Sequence, residues 1–393
     1  MDEKKLKILA IISIMALLFI VLEVIMIFKM SFNTSTTFVL YDSINSFSLT
    51  GDGYVAVGSN NNNDNHYEKA KLSVYNFSSE IVMEKIYNKG YNSTYYDVIS
   101  VEDGYVAVGS YESTKNELKS GNRTAFIVKY DKLGNILFEK DFNVLGNSKF
   151  VGVVEVDNHY IVCGQSIYKN KDTTSEGSAI LMKYDKEGNE LWRKNSGETN
   201  SAIYKDLVVS DGTIFVVGLD KNNQGIIAKY NLDGDLLNNK YYESVENIGF
   251  TAIDIFNNSL YVTTSKYDNG KMVATLVNYD CELDIMNEVV YRTNNNASYE
   301  NLVIDENGNI ITIGKVFAKE NNSYSYDGIL GKYNNSLKEL AIVNYTSDRD
   351  VFLHDIKVFN DKYLVVGDSM KDGVTTTSKF ITFSTSLKIL GVS

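Results

Sequence analysis

Asp97–Phe142 reads DVISVEDGYVAVGSYESTKNELKSGNRTAFIVKYDKLGNILFEKDF. Four short runs in it are rich in β-branched and aromatic residues, separated by a DG turn, a polar loop and a KLGN turn. Runs bounded in this way predict four antiparallel strands, A to D. The unit recurs from about residue 37 to residue 393. Its B strand carries Gly58, Gly109, Gly164, Gly218, Gly314 and Gly367, with Thr264 in the fifth copy. An aromatic ends each C strand (Tyr75, Tyr130, Tyr184, Tyr230, Tyr279, Tyr333, Phe383), and another opens each A strand (Phe47, Tyr96, Phe150, Tyr204, Phe250, Tyr299, Phe352). A four-stranded unit with a period of about 50 residues, copied seven times, predicts an all-β, seven-bladed β-propeller of four-stranded antiparallel blades.

The marks have physical reasons. A strand glycine permits close approach of another backbone, which neighbouring blades need near a crowded hub. KYDKLGN and KYDKEGN read as hairpin turns in which Gly134 and Gly188 supply a positive φ. DGYVAVGS followed by FIVKYDKLGNILFEK, and HYIVCGQS followed by AILMKYDKEGNELWRK, resemble bacterial exported or surface seven-bladed propeller repeats. The resemblance spans residues 37–393. It departs at blade 5, with Thr264 and a CELD turn, and at blade 7, without the Tyr-Asp pair. It implies the fold and leaves the activity open, because propellers host many. Two segments compete for the outer strand of the last blade: 37–41 (TFVLY) and Leu387–Val392 (LKILGV).

Residues 1–7 carry three lysines, and Ile8–Phe28 follows as 21 residues interrupted only by Ser13 and Glu23. As a helix this covers about 31 Å, the thickness of a bilayer core. With no small-x-small cleavage site after it, residues 8–28 read as an uncleaved signal anchor. The lysine asymmetry keeps residues 1–7 cytoplasmic, leaves 29–36 as a linker and exports the propeller. If 37–41 is a D strand, the short-turn face lies next to the membrane. The net charge of −12 argues against nucleic-acid binding. The two cysteines, Cys163 and Cys281, fall two blades apart and predict no disulfide.

A–B and C–D connections are short, whereas the B–C connections Ser59–Ala70, Tyr111–Arg123 and Ser166–Gly177 are long and uneven. Variable loops therefore gather on the face shared by the B–C and D–A connections, where binding is expected. No histidine spacing suits zinc, and no nucleophile elbow or phosphate loop occurs, so neither a metal nor a cofactor is expected. Because A strands line the central channel, the candidate binding residues are Tyr96, Asp97, Asp206, Asp254, Tyr299, Glu300, His354 and Asp355. The acids read either as solvated carboxylates and turn caps or as a ring able to hold a cation. The leading expectation is a membrane-anchored, extracytoplasmic module that binds a protein or glycan partner at the cell surface. The alternative is a hydrolase or lyase with its site at the channel mouth.

Overall fold

The computed structural model describes residues 42–61, 68–113, 123–142, 147–169, 175–195, 201–242, 247–320, 323–371 and 375–393. They form 28 strands, β1 (Asp42–Leu49) to β28 (Ile389–Val392), in seven four-stranded sheets. In each sheet four consecutive strands pair antiparallel in chain order. The chain folds as a seven-bladed β-propeller. The signal anchor, the linker and residues 37–41 lie outside the described residues. The fourth strand of blade 7 is β28, so Leu387–Val392 supplies the closing strand. The described residues begin at Asp42, the loop-face end of β1. The orientation built on residues 37–41 as a D strand therefore loses its premise.

Seven apolar clusters fill the seven interfaces between blades. At the 7/1 seam, Phe47, Tyr54 and Tyr75 of blade 1 pack on Leu364, Val366 and Phe380 of blade 7. The Phe47 and Phe380 rings meet edge to face at 5.5 Å. The ring closes by packing rather than by strand exchange.

Every A strand carries a β-bulge. The bulged residues are Asn45, Tyr96, Val151, Lys205, Thr251, Glu300 and His354. This corrects the opening marks in three blades. The buried residue before the bulge is Ile44, Tyr95 and Leu353 in blades 1, 2 and 7, not Phe47, Tyr96 and Phe352. The bulge breaks the two-residue alternation on which the alignment of neighbouring aromatics depends. In blades 2, 4 and 6 that buried aromatic bonds the tyrosine ending its own C strand, at 2.6 Å for Tyr95–Tyr130, Tyr204–Tyr230 and Tyr299–Tyr333.

The bulge also explains the B-strand glycine. A Cβ on Gly58, Gly109, Gly164, Gly218 or Gly314 would lie 1.9–2.1 Å from an A-strand carbonyl oxygen of the same blade, two residues before the bulge. The close approach is thus within a blade, not between blades. Blade 5 solves the same problem in reverse. Its A strand carries Gly249 at φ 81°, and Thr264 donates its hydroxyl to the Gly249 carbonyl at 2.6 Å. The CELD turn likewise keeps the turn geometry without glycine, because Leu283 takes φ 68° and buries its side chain completely. Several B–C connections begin as paired hairpin: Asn61 pairs with Glu68, and Lys169 with Ser175.

Candidate binding site at the channel mouth

The seven A strands enclose a central channel of about 480 Å³, and all seven bulged residues line it. An extra residue in one strand leaves the ladder and re-aims its side chain. Here it turns one side chain per blade inward near the loop-face end of the strand. The seven are Asn, Tyr, Val, Lys, Thr, Glu and His, no two alike.

The next position behaves differently. Asp97 accepts the amide of Val98 at 2.8 Å with one oxygen and that of Val153, in blade 3, at 2.9 Å with the other. Asp206 does the same with Leu207 and with Ile253 of blade 5, at 2.8 and 2.9 Å. Asp355 accepts Ile356 at 2.8 Å and Phe47 of blade 1 at 3.0 Å. Asn301 accepts the Leu302 amide at 2.7 Å and donates to the His354 carbonyl and to Asp355 Oδ1, both at 3.1 Å. Ser46 Oγ lies 2.8 Å from Asp97 Oδ1 and 3.0 Å from Asp355 Oδ2. Asp254 sits two positions further along its strand yet also caps its own neighbour, Ile255, and the next blade's Ile304. These side chains staple adjacent blades. Backbone amides bind the carboxylates of Asp97, Asp206, Asp254 and Asp355, so these four act as caps rather than as solvated groups. Among the described residues no group of acids, histidines and cysteines has metal-ligating geometry.

Burial sets the charge balance inside. It pushes Asp97 up to about 6, Asp206 to about 7 and Asp254 to about 6, against the amide bonds and the nearby Lys357 that favour ionisation. Lys357 bonds Asp355 Oδ1 at 2.9 Å. Burial opposes its charge, but Asp355, Asp97 and Asp206 outweigh burial and hold its pKa above the ordinary lysine value.

Three of the candidate residues, Tyr96, Glu300 and His354, are bulged residues whose side chains line the channel. Tyr96 is half-buried, and its hydroxyl accepts Arg123 Nη1 at 3.0 Å. Glu300 pairs with Lys315 at 3.1 Å and accepts the Ser298 hydroxyl. His354 Nε2 lies 2.9 Å from Asp368 Oδ2, which also accepts Ser43 Oγ at 3.0 Å. Asp355 is the staple at the seam. Tyr299, expected at the mouth, is instead fully buried in its blade. Sequence reading missed Lys205, Lys357, Asp368 and the staples Ser46 and Asn301. Only the bulge register reveals that Ser46, Asp97, Asp206, Asn301 and Asp355 share one position.

No protein-family model matches the sequence, and no curated protein matches it. Solved propellers are similar in fold. The Dos1 propeller has 9% identity and a TM-score of 0.56 over 89% of this chain and 85% of that one. The Neurospora crassa Pan2 WD40 domain has 8% identity and a TM-score of 0.55 over 86% and 88%. The β-propeller domain of the Trilobed protease from Pyrococcus furiosus has 12% identity and a TM-score of 0.52 over 90% and 97%. At these identities the likeness is one of fold, a seven-bladed propeller.

Proposed function

We propose that this chain is a binding module that takes a protein partner on its loop face, centred on the channel mouth, with residues 8–28 holding it outside the membrane. The observation that carries the reading is the contrast between two neighbouring positions. The residue after the bulge repeats one job, tying blades together, in Ser46, Asp97, Asp206, Asn301 and Asp355. The bulged residue shares no chemistry from blade to blade. Architecture repeats in a ring, whereas recognition of an asymmetric partner requires the ring's members to differ. Mixed charge, aromatic and hydroxyl groups on one concave face suit a folded protein surface.

A photo-crosslinking residue at Thr251 should trap a protein in cells, while one at Lys132, in the short-turn face, should trap none. Equal trapping at both sites, or trapping of glycan alone, would refute the reading. A protease-accessible propeller on intact cells is the expected result for the anchor, and full protection is the contrary one.

One observation favours the enzymatic alternative. Asp368 pins one nitrogen of His354 beside Glu300 at the mouth, as a general base would require. Turnover of a glycan library that His354→Gln abolishes would establish it.

A further inference from the structure

Lys149 and Lys205 stand on adjacent blades at this mouth. Lys205 lines the channel at a bulge, and Lys149 Nζ lies 5.3 Å from the centroid of the Tyr96 ring, which lines it too. Neither lysine has an acidic partner among the described residues. The carboxylates nearby are already engaged: Glu112 with Arg123 at 3.6 Å, and Glu300 with Lys315 at 3.1 Å. The chain has a net charge of −12, yet no ion pair joins either ammonium group to an acid among the described residues. Arg123, bound to the Tyr96 hydroxyl, adds a third positive charge behind them.

The physical cost of the arrangement is visible. Burial depresses both lysines below their ordinary pKa; Arg123 adds to this at Lys149 and Lys149 adds to it at Lys205, with Glu300 opposing in part at Lys205. Two neighbouring ammonium groups disfavour each other's charge, and an anion supplied from outside would offset that cost.

We propose that Lys149 and Lys205, backed by Tyr96 and Arg123, form a carboxylate-binding site that receives an acidic side chain of the partner protein. This deepens the loop-face reading and rests on it. Lys205 supplies a donor from the channel wall. Lys149, held against the Tyr96 ring, supplies the second. The Glu300 and His354 side of the mouth faces them, so an inserted acid is steered toward blades 3 and 4.

The test uses the full chain in detergent, titrated calorimetrically with a hexaglutamate peptide and with hexaglutamine as the neutral control. Hexaglutamate should bind and hexaglutamine should not. Lys205→Gln or Lys149→Gln should weaken binding at least tenfold, and the double variant should abolish it. Lys205→Arg should retain binding, and Lys338→Gln, on the short-turn face, should leave it unchanged. The melting temperature of the double variant should stay level or rise, since mutual repulsion is removed; this keeps loss of binding separate from loss of fold. Inorganic phosphate competing as well as hexaglutamate would overturn the carboxylate assignment in favour of a general anion site. Hexaglutamate binding equally to wild type and double variant, or to neither, would overturn the proposal. In that case undiminished trapping at Thr251 by the double variant leaves the loop-face reading standing, and loss of trapping at Thr251 in wild type removes that reading itself.

Discussion

At the scale of the residue, the most constrained atoms are those beneath the A-strand bulge. Gly109→Ala would set a methyl group 2.1 Å from the Thr94 carbonyl oxygen, so one strand must shift. A cost on the order of 3 kcal/mol is expected, in the range of backbone-strain substitutions. In blade 5 the burden moves. Gly249→Ala should be similarly damaging, because φ 81° is strained for a side chain and its Cβ would lie 2.7 Å from Leu219. Thr264→Ala should cost only about 1 kcal/mol, one buried hydrogen bond. Chemical denaturation of the three variants checks the order; a benign Gly249→Ala would remove the account of blade 5. The buried acids make a second residue-scale prediction. Asp206 has a folded-state pKa of about 7, raised by burial above its unfolded value. The folded state therefore holds the extra proton between the two pKa values, and this group's stabilising contribution is present below the lower one and lost as pH rises through about 7. Asp206→Asn should flatten the decline of the melting temperature between pH 5 and 8. An unchanged slope would show that the proton is not held there.

At the scale of the element, all seven D strands are sheet edges among the described residues, and each carries a bulge one residue in. The residues there are Val82, Leu137, Leu191, Leu237, Met286, Leu340 and Leu390, exposed from 49% to 67%. Bulging an edge strand spoils its ladder as a template for another chain. The apolar side chain it turns outward is left in water. Replacing Leu137, Leu237 and Met286 together with lysine should shift stability by no more than ~0.5 kcal/mol each. It should also reduce self-association in sedimentation; a large loss of stability would mean that these side chains are covered within the molecule. The strands themselves were legible in sequence because β-branched runs and turn residues report local preference directly. The bulges were not, since an inserted residue leaves no local trace. That is why sequence spacing points to Tyr96 rather than Tyr95, sets Asp254 level with acids two positions away, and does not show that the glycine contact lies within a blade. Leu283, Leu337 and Leu387 hide in the same way. Each takes a left-handed turn position that propensity gives to glycine, with burial in an inter-blade core offsetting the strain.

At the scale of the whole molecule, the blade number followed from counting repeats, but the means of closure did not, since two termini offered equivalent strands. A ring closed by strand exchange has a hydrogen-bonded ladder across its seam. Among the described residues this ring has none: each blade is built from four consecutive strands. The 7/1 seam is held by the Phe47–Phe380 packing, by Asp355 accepting the Phe47 amide, and by the Ile44 amide donating to Ser378 Oγ at 3.0 Å. Asp355 is nearly fully buried and also holds Lys357, Asn301 and, at 3.0 Å, Ser46. Removing one buried partner from such a network leaves a charge and several donors uncompensated, at a cost of about 3 kcal/mol. Each of the other interfaces joins blades already linked by chain connection, so a loosened pair there is confined by the linker. Among the described residues the seam has no such connection, because β1–β4 and β25–β28 stand on its two sides. Opening should therefore begin there. In native-state hydrogen exchange the Phe47 amide should be less protected than the staple amides of Val153, Ile253 and Ile304. Asp355→Ala should deprotect Phe47 and Ile44 before any amide of blades 3 to 5 responds. If all four staple amides exchange together, in wild type and variant alike, the ring opens as one cooperative body and the seam is no weaker than the interfaces the chain itself spans.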